Sequence, residues 1–292
     1  MTLVVRPIDG PDELPLFNDS FPYILNDEIE SDLTAGRRHP AWLWVALREG
    51  RVTARAGWWS RPGDPSPMHM DVFDVTSADD GLALLAAAGM TTDYLRFVPP
   101  DWRSGGDPLW MTTLTKAGAR LFVERLRLEW RPGTPLPLPR GRLSFRPPHD
   151  GAELVDLMTQ VLEGTLDAHS RADLGHMSAR EAAEEQYRSE LTRYASPHDW
   201  WRVGVAPDGS PVGFVIPAHN GYNPVIAYIG VVPEHRGHGY VDELLGEGTR
   251  VLAAQDVPRI RASTDLGNVP TAAAFARAGY ITIEHQVDMT WS

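Results

Sequence analysis

The chain has 292 residues and no cysteine, which excludes disulfides, thiolate metal sites and a cysteine nucleophile. Lysine is almost absent: Lys116 stands alone against 26 arginines, a bias we read as genome composition rather than chemistry. No run of 18 apolar residues occurs, so no membrane-spanning helix is expected. The opening stretch MTLVVRPIDGPDEL lacks the apolar stretch of a secretion signal, and with the missing cysteines this predicts a cytoplasmic protein. Positive charge is outnumbered, with 27 Lys and Arg against 39 Asp and Glu and a net charge of −12. That balance argues against nucleic-acid or anionic-membrane partners. Ten histidines show no His-Glu-x-x-His pattern and no tight cluster, so no metal is expected. No Gly-x-Ser-x-Gly elbow is present either.

What is present repeats. Arg6-Pro7 is followed by Glu13-Leu14, and Arg146-Pro147 by Glu153-Leu154 at the same spacing. WLWVALREGRVTARAGW turns at Glu49-Gly50, and WWRVGVAPDGSPVGF turns at Asp208-Gly209, each between alternating apolar residues, as hairpins do. Ala117-Gly118 stands twelve residues before Trp130, and Ala278-Gly279 twelve before Trp291. The offset between copies is 140 at the start and 161 at the end, so the second copy carries about 21 additional residues, mostly between Glu163 and Asp199. The Pro-rich segment 132–142 reads as a stiff linker. The sequence therefore predicts two tandem domains, 1–131 and 143–292. Each runs strand, helix, hairpin, strand, helix, strand, helix, strand.

In the second half a first helix is expected over Asp150–Glu163 and a second over SAREAAEEQYRSELTRYA. PVIAYIGVV is a buried strand by its β-branched run, and small or apolar residues at 241, 244, 245, 248, 251 and 252 mark one face of a helix. RIRAST is a further strand. NVPTAAAFARAG opens on Asn268 as a helix cap and closes on Gly279, and ITIEHQVDMTW ends the sheet.

Between strand and helix lies VVPEHRGHGYVDELL. A glycine-rich turn entering a helix presents several unpaired N–H groups in one direction. The helix dipole adds about half a positive charge there, and Arg236 a full one. Gly237 and Gly239 carry no Cβ, so a ligand can approach the backbone closely. Such a site suits phosphate. It is neither a Walker loop, lacking Gly-Lys-Ser/Thr, nor a dinucleotide fingerprint, lacking the third glycine.

This segment resembles the pyrophosphate loop of the GCN5-related N-acetyltransferases: an apolar strand, Pro233, then Arg236-Gly237-His238-Gly239-Tyr240-Val241 and a helix. The family's later element, an Asn followed by a short helix ending in Gly-aromatic, is matched by Asn268, Phe275, Gly279 and Tyr280. The resemblance covers Leu143–Ser292. It implies an α/β (α+β) fold class, with two tandem acyl-CoA N-acyltransferase-like domains, each a mixed, mostly antiparallel sheet flanked by helices. It also implies an acetyl-CoA site. Ile229, Gly230 and Val231 would lie on a splayed strand end, pairing with the pantetheine arm and polarising the thioester carbonyl. The loop from Arg236 to Val241 would hold the pyrophosphate, and Asn268 and Phe275 would flank the coenzyme arm.

Three departures stand out. Val241 replaces a usual Gly or Ala. Phe275 stands where the family often has a tyrosine that protonates the leaving thiolate, and Val225 where some members carry a glutamate base. Groups near the strand able to take a proton are His219, Tyr222 and Tyr228. Tyr228 also reads as packing, and His219 and Tyr222 as residues of the loop AHNGYNP. The first half has Asp79 and Asp80 where the second has its glycines, good helix-start residues that would repel a pyrophosphate. It reads as a degenerate copy.

The expected activity is acetyl transfer from acetyl-CoA to a primary amine of a small molecule, with the extra segment Glu163–Trp201 lining the acceptor pocket. Asp167, Asp173, Glu181 and Glu184 in that segment read either as solvated helix surface or as a wall for a cationic acceptor. The hairpin tryptophans read as core, or as an aromatic substrate wall. The rivals are an acyl-CoA-binding module without turnover and a protein N-acetyltransferase. The sequence leaves room for a homodimer.

Overall fold

The computed structural model describes residues 2–136 and 138–291, so Pro137 of the proline-rich segment lies outside the described residues. The first half contains β1 (Leu3–Pro7), α1 (Leu14–Asn18), α2 (Ile29–Thr34), β2 (Leu43–Arg48), β3 (Arg51–Trp59), β4 (His69–Val75), α3 (Ala78–Ala88), β5 (Tyr94–Val98) and α4 (Leu109–Lys116). Next come β6 (Arg120–Trp130), β7 (Ser144–Arg146), α5 (Gly151–Val161), α6 (Ala168–Asp173), α7 (Ala179–Ser189), β8 (Arg202–Val205) and β9 (Pro211–His219). The chain ends with β10 (Pro224–Val231), α8 (Tyr240–Ala253), β11 (Ile260–Asp265), α9 (Val269–Arg277) and β12 (Ile281–Thr290). The expected elements of both halves are there. α6 was not foreseen: it is a single short turn capped by Asp167, with no apolar period to announce it.

Two compact units result, Met1–Glu124 with Gln286–Ser292, and Arg125–His285. The boundary differs from the one the linker suggests. It falls within β6 and β12, because each of these long strands begins in one unit and ends in the other. A proline-rich segment advertises itself by composition, whereas a strand that changes unit carries no local mark.

Unit 1 orders its strands β1-β2-β3-β4-β5-β12, and unit 2 β12-β6-β11-β10-β9-β8-β7. In unit 2 the alternation of strand side chains builds two cores. Val212 and Val215 of β9 join Ile226, Ile260 and Ala262 under Leu244, Leu245 and Leu252 of α8 and Ala274 and Phe275 of α9. Phe214 and Ile216 face the other way, against Leu154, Leu157 and Met158 of α5 and Ala182 and Ala183 of α7. α7 opens on a capping box in which Ser178 and Glu181 exchange side-chain and backbone bonds.

The Arg-Pro…Glu-Leu repeat is an ion pair used twice. Arg6 holds Glu13 through two bonds of 2.7 Å, and Glu13 also accepts the Asp9 N–H. Arg146 holds Glu153, which accepts the His149 N–H. Arg6 draws the Glu13 carboxyl down to about 2, and Arg146 lowers Glu153 in the same way. A depressed carboxyl stabilises the fold above its ordinary value near ~4.3 and loses that contribution as pH falls through the folded value. Glu153→Gln is therefore expected to cost about 1 kcal/mol at pH 7. In urea unfolding the difference from the native chain should close as pH falls below about 4, and a difference independent of pH would rule the ion pair out.

Candidate active site

β10 and β11 are parallel neighbours that pair at one position only, Val225 with Arg261. Beyond it they part, while β10 stays registered with β9 through Val231 and β11 stays fully paired with β6. A bulge in β10 between Ile226 and Tyr228 falls at the point of parting. The free edge of β10 from Ile226 to Val231 opens on a cavity of about 780 Å³.

The loop after β10 closes one end of that cavity. Gly237 and Gly239 hold φ of +81° and +72°, backbone that favours glycine. Among the described residues the N–H groups of Gly237, His238 and Gly239 have no hydrogen-bond partner. The carbonyls are held instead: Arg142 donates to the oxygens of His238 at 2.7 Å and Gly239 at 3.2 Å. The same guanidinium binds Glu243 at 2.7 Å and lies 4.7 Å from the centre of the Tyr240 ring. Arg142 thus braces the loop by its oxygens, on behalf of donors that face elsewhere. The sequence reading missed it, because its only mark there is the end of a proline-rich segment.

Arg236 plays a different part from a bare phosphate ligand. Its guanidinium donates to the carbonyls of Val231 at 3.1 Å, Glu163 at 2.6 Å and Val161 at 2.8 Å. It ties the loop to the end of β10, to the last carbonyl of α5 and to Glu163 just beyond that helix, and it leaves a positive charge beside the open N–H groups.

A strand that parts from its neighbour above a glycine turn is the geometry the sequence resemblance led us to expect. Residues 166–280 match the Acetyltransferase (GNAT) family. A GNAT domain is thus recognised over residues 166–280, within the second half of the chain. No curated protein sequence matches the chain. Among solved structures, a GCN5-related N-acetyltransferase from Sphaerobacter thermophilus matches with a TM-score of 0.63 at 15% identity, over 98% of this chain and 94% of that one. A tandem GNAT protein from the clavulanic acid biosynthesis pathway matches with a TM-score of 0.55 at 17% identity, over 99% and 98%. A GCN5-related N-acetyltransferase from Kribbella flavida matches with a TM-score of 0.54 at 11% identity, over 92% and 96%. At these identities the likeness is one of fold, and it spans both halves. Acyl transfer is the chemistry of this family.

Within the GNAT domain the cavity gathers Ile229, Gly230, Val231, Arg236, Gly237, Gly239, Tyr240 and Val241 with Asn268 and Phe275. Asn268 caps α9, its side chain accepting the Thr271 N–H. Phe275 is 2% exposed and packs edge-on against Tyr280 at 5.0 Å. His238 is in the loop but not in the cavity wall.

Of the three groups considered as bases, Tyr228 alone lines the cavity. Burial, with the charges of Asp167 and Glu190, pushes its phenol far above the usual tyrosine range. It remains a neutral donor at any physiological pH, and no hydrogen bond engages its hydroxyl among the described residues. His219 ends β9 and Tyr222 stands in the turn that leads into β10, at the end of that strand away from the glycine loop. His219 Nδ1 accepts the Gly221 N–H, and the Tyr222 N–H is held by Asn220. Neither lines the cavity, nor does any of the hairpin tryptophans.

The inserted segment does line it, through α6 and α7. Its acids sort differently from the sequence reading. Glu181 is used in the capping box and Glu184 pairs with Arg180, whereas Asp167, Asp173 and Glu190 line the cavity, as does Glu185, itself paired with Arg188 at 3.0 Å.

In unit 1, β4 and β5 also pair at one position, Met70 with Tyr94. Here the gap is filled. The buried Arg96 donates to the Phe73 carbonyl at 2.9 Å, to Asp74 at 2.8 Å and to the Tyr94 hydroxyl at 3.3 Å. Asp80 does not face a ligand: it is fully buried, bound by Arg48 and by the Thr53 hydroxyl at 2.7 Å.

Proposed function

We propose that the GNAT domain moves the acetyl group of acetyl-CoA to a primary amine of a small molecule, by direct attack with both bound. The observation that carries this reading is the free edge of β10 running into a loop of unpartnered N–H groups.

The residues suit the coenzyme. A Cβ built on Gly237 would meet nothing within 4 Å, so the backbone there can be approached closely by a pyrophosphate. The edge from Ile226 to Val231 offers N–H and C=O groups to an amide-bearing arm. Acetyl-CoA supplies the thioester, and the chain supplies position and polarity. N–H groups fixed on the strand stabilise negative charge developing on the carbonyl oxygen without reorganising. A coenzyme thiol, with a pKa of roughly 8–9, leaves without strong acid help, which accommodates Phe275. α6 and α7 lie over the acceptor side of the cavity, which favours a small acceptor over a protein segment.

Calorimetric titration with acetyl-CoA is expected to give one site per chain, since Arg96 fills the corresponding gap of unit 1. Two sites, or none, would overturn that assignment. Thiol release in the presence of amines then separates an enzyme from a module that only binds the coenzyme.

A further inference from the structure

The acceptor side of the cavity carries more negative charge than its own cations balance. Asp167 and Glu190 are half-buried in its wall, and Asp173 and Glu185 stand exposed at its rim. The cations nearby are already engaged. Arg125 lies 3.1 Å from Asp265, which is 3% exposed and accepts the Ala168 N–H through its other oxygen at 2.6 Å. Arg236 binds three carbonyls. Asp167 keeps only a distant contact with Arg125, at 3.8 Å, and its α6 cap. Glu190 accepts one hydrogen bond, from the Tyr194 phenol at 2.7 Å.

A second observation is independent of the acids. The wall hydroxyls without a hydrogen-bond partner among the described residues include those of Tyr228, Ser263 and Thr264. Thr264 is only 5% exposed. The Ser263 hydroxyl is sealed from solvent, whereas those of Tyr228 and Thr264 are open to a group bound in the cavity.

We propose that the acceptor is an alkylamine that enters as a cation, its ammonium group held by Asp167 and Glu190 beside the Tyr228 phenol. This rests on the acyl-transfer reading of the same site and names its substrate class. Glu190 takes the first proton of the ammonium and passes it to solvent. The amine nitrogen then forms its bond to the acetyl carbon as the carbon–sulfur bond breaks. The second amine proton goes to the departing sulfur. The products are a neutral amide, a free thiol and one proton released. A second cationic centre on the acceptor would find Asp173 and Glu185 at the rim.

The test uses the full chain, acetyl-CoA and four amines: spermidine and butylamine, which are cationic at neutral pH, aniline, which is neutral, and glutamate, which is anionic overall. Thiol release is expected for spermidine and butylamine, with spermidine the better substrate. Glu190→Gln and Asp167→Asn keep the Tyr194 bond and the α6 cap. Each is expected to raise KM for spermidine at least about tenfold, and Glu190→Gln to lower kcat as well, while both leave the acetyl-CoA Kd unchanged. A merely structural role would move that Kd too. Preference for aniline or glutamate, or an unchanged KM in both variants, overturns the proposal. Acetyl-CoA binding without turnover of either alkylamine also overturns it, and leaves the coenzyme reading standing. Failure to bind acetyl-CoA overturns the coenzyme reading itself.

Discussion

A chain carrying Gly237→Asp is expected to bind acetyl-CoA at least about a hundredfold more weakly, a loss of about 2.7 kcal/mol. The substitution places a carboxylate among the free N–H groups of residues 237–239, where a pyrophosphate would otherwise sit. The fold should survive it. A Cβ at this position has open space around it, and aspartate is among the residues that tolerate a φ of +81°. Reversing the charge of Arg236 is a poorer experiment, although the sequence suggests it first. That side chain ties the carbonyls of Val161, Glu163 and Val231 together, so its loss disturbs α5 and β10 along with any ligand. Calorimetry on Gly237→Asp, with a melting curve to show an intact fold, separates the two effects. An unchanged affinity would mean that the phosphates bind elsewhere.

The duplication was legible because it is written in local devices. Arg6 with Glu13 and Arg146 with Glu153 close the same ion pair at the same place in each unit, so spacing alone revealed the repeat. The glycine turn with its open N–H groups was legible for a similar reason: a turn between a strand and a helix has its consequences within six residues. What escaped notice depends on residues far apart in the chain. Arg96 fills the gap of unit 1 by reaching Phe73 and Asp74, more than twenty positions away. The sequence reading had rested its expectation of a degenerate first half on Asp79 and Asp80, yet Asp80 is turned inward to Arg48 and Thr53. Arg142 reaches the loop across 96 residues. Glu190, at the end of an amphipathic helix full of acids, has no sequence feature that separates it from Glu181 or Glu184. Only the path of the backbone after α7 turns it toward the cavity. The division into units falls within β6 and β12, long strands whose composition carries no mark of it.

The largest loss of stability is expected from Gly213→Ala. Gly213 lies in β9 opposite Val231, and a Cβ there would stand 2.1 Å from the Gly230 carbonyl oxygen and 3.0 Å from the Val231 Cα. Both obstacles are backbone, so no rotamer change relieves them. β9 and β10 must separate at the end of β10 that borders the coenzyme loop. Overpacking of this kind costs about 3 kcal/mol, which lowers the melting temperature of unit 2 by about 10 °C. Gly230→Ala provides the control. Its Cβ would meet Val161 at 2.5 Å, but that obstacle is a side chain of α5, which can shift while the β9–β10 ladder stays intact. Gly230→Ala is therefore expected to be the milder of the two in a denaturation curve. Both should weaken acetyl-CoA binding, Gly213→Ala by displacing the free edge of β10 and Gly230→Ala by pushing α5 and the carbonyls that hold Arg236. If Gly213→Ala melts no lower than Gly230→Ala, the strand pair is more compliant than its register suggests, and the free edge is not held rigidly enough to polarise a carbonyl by position alone.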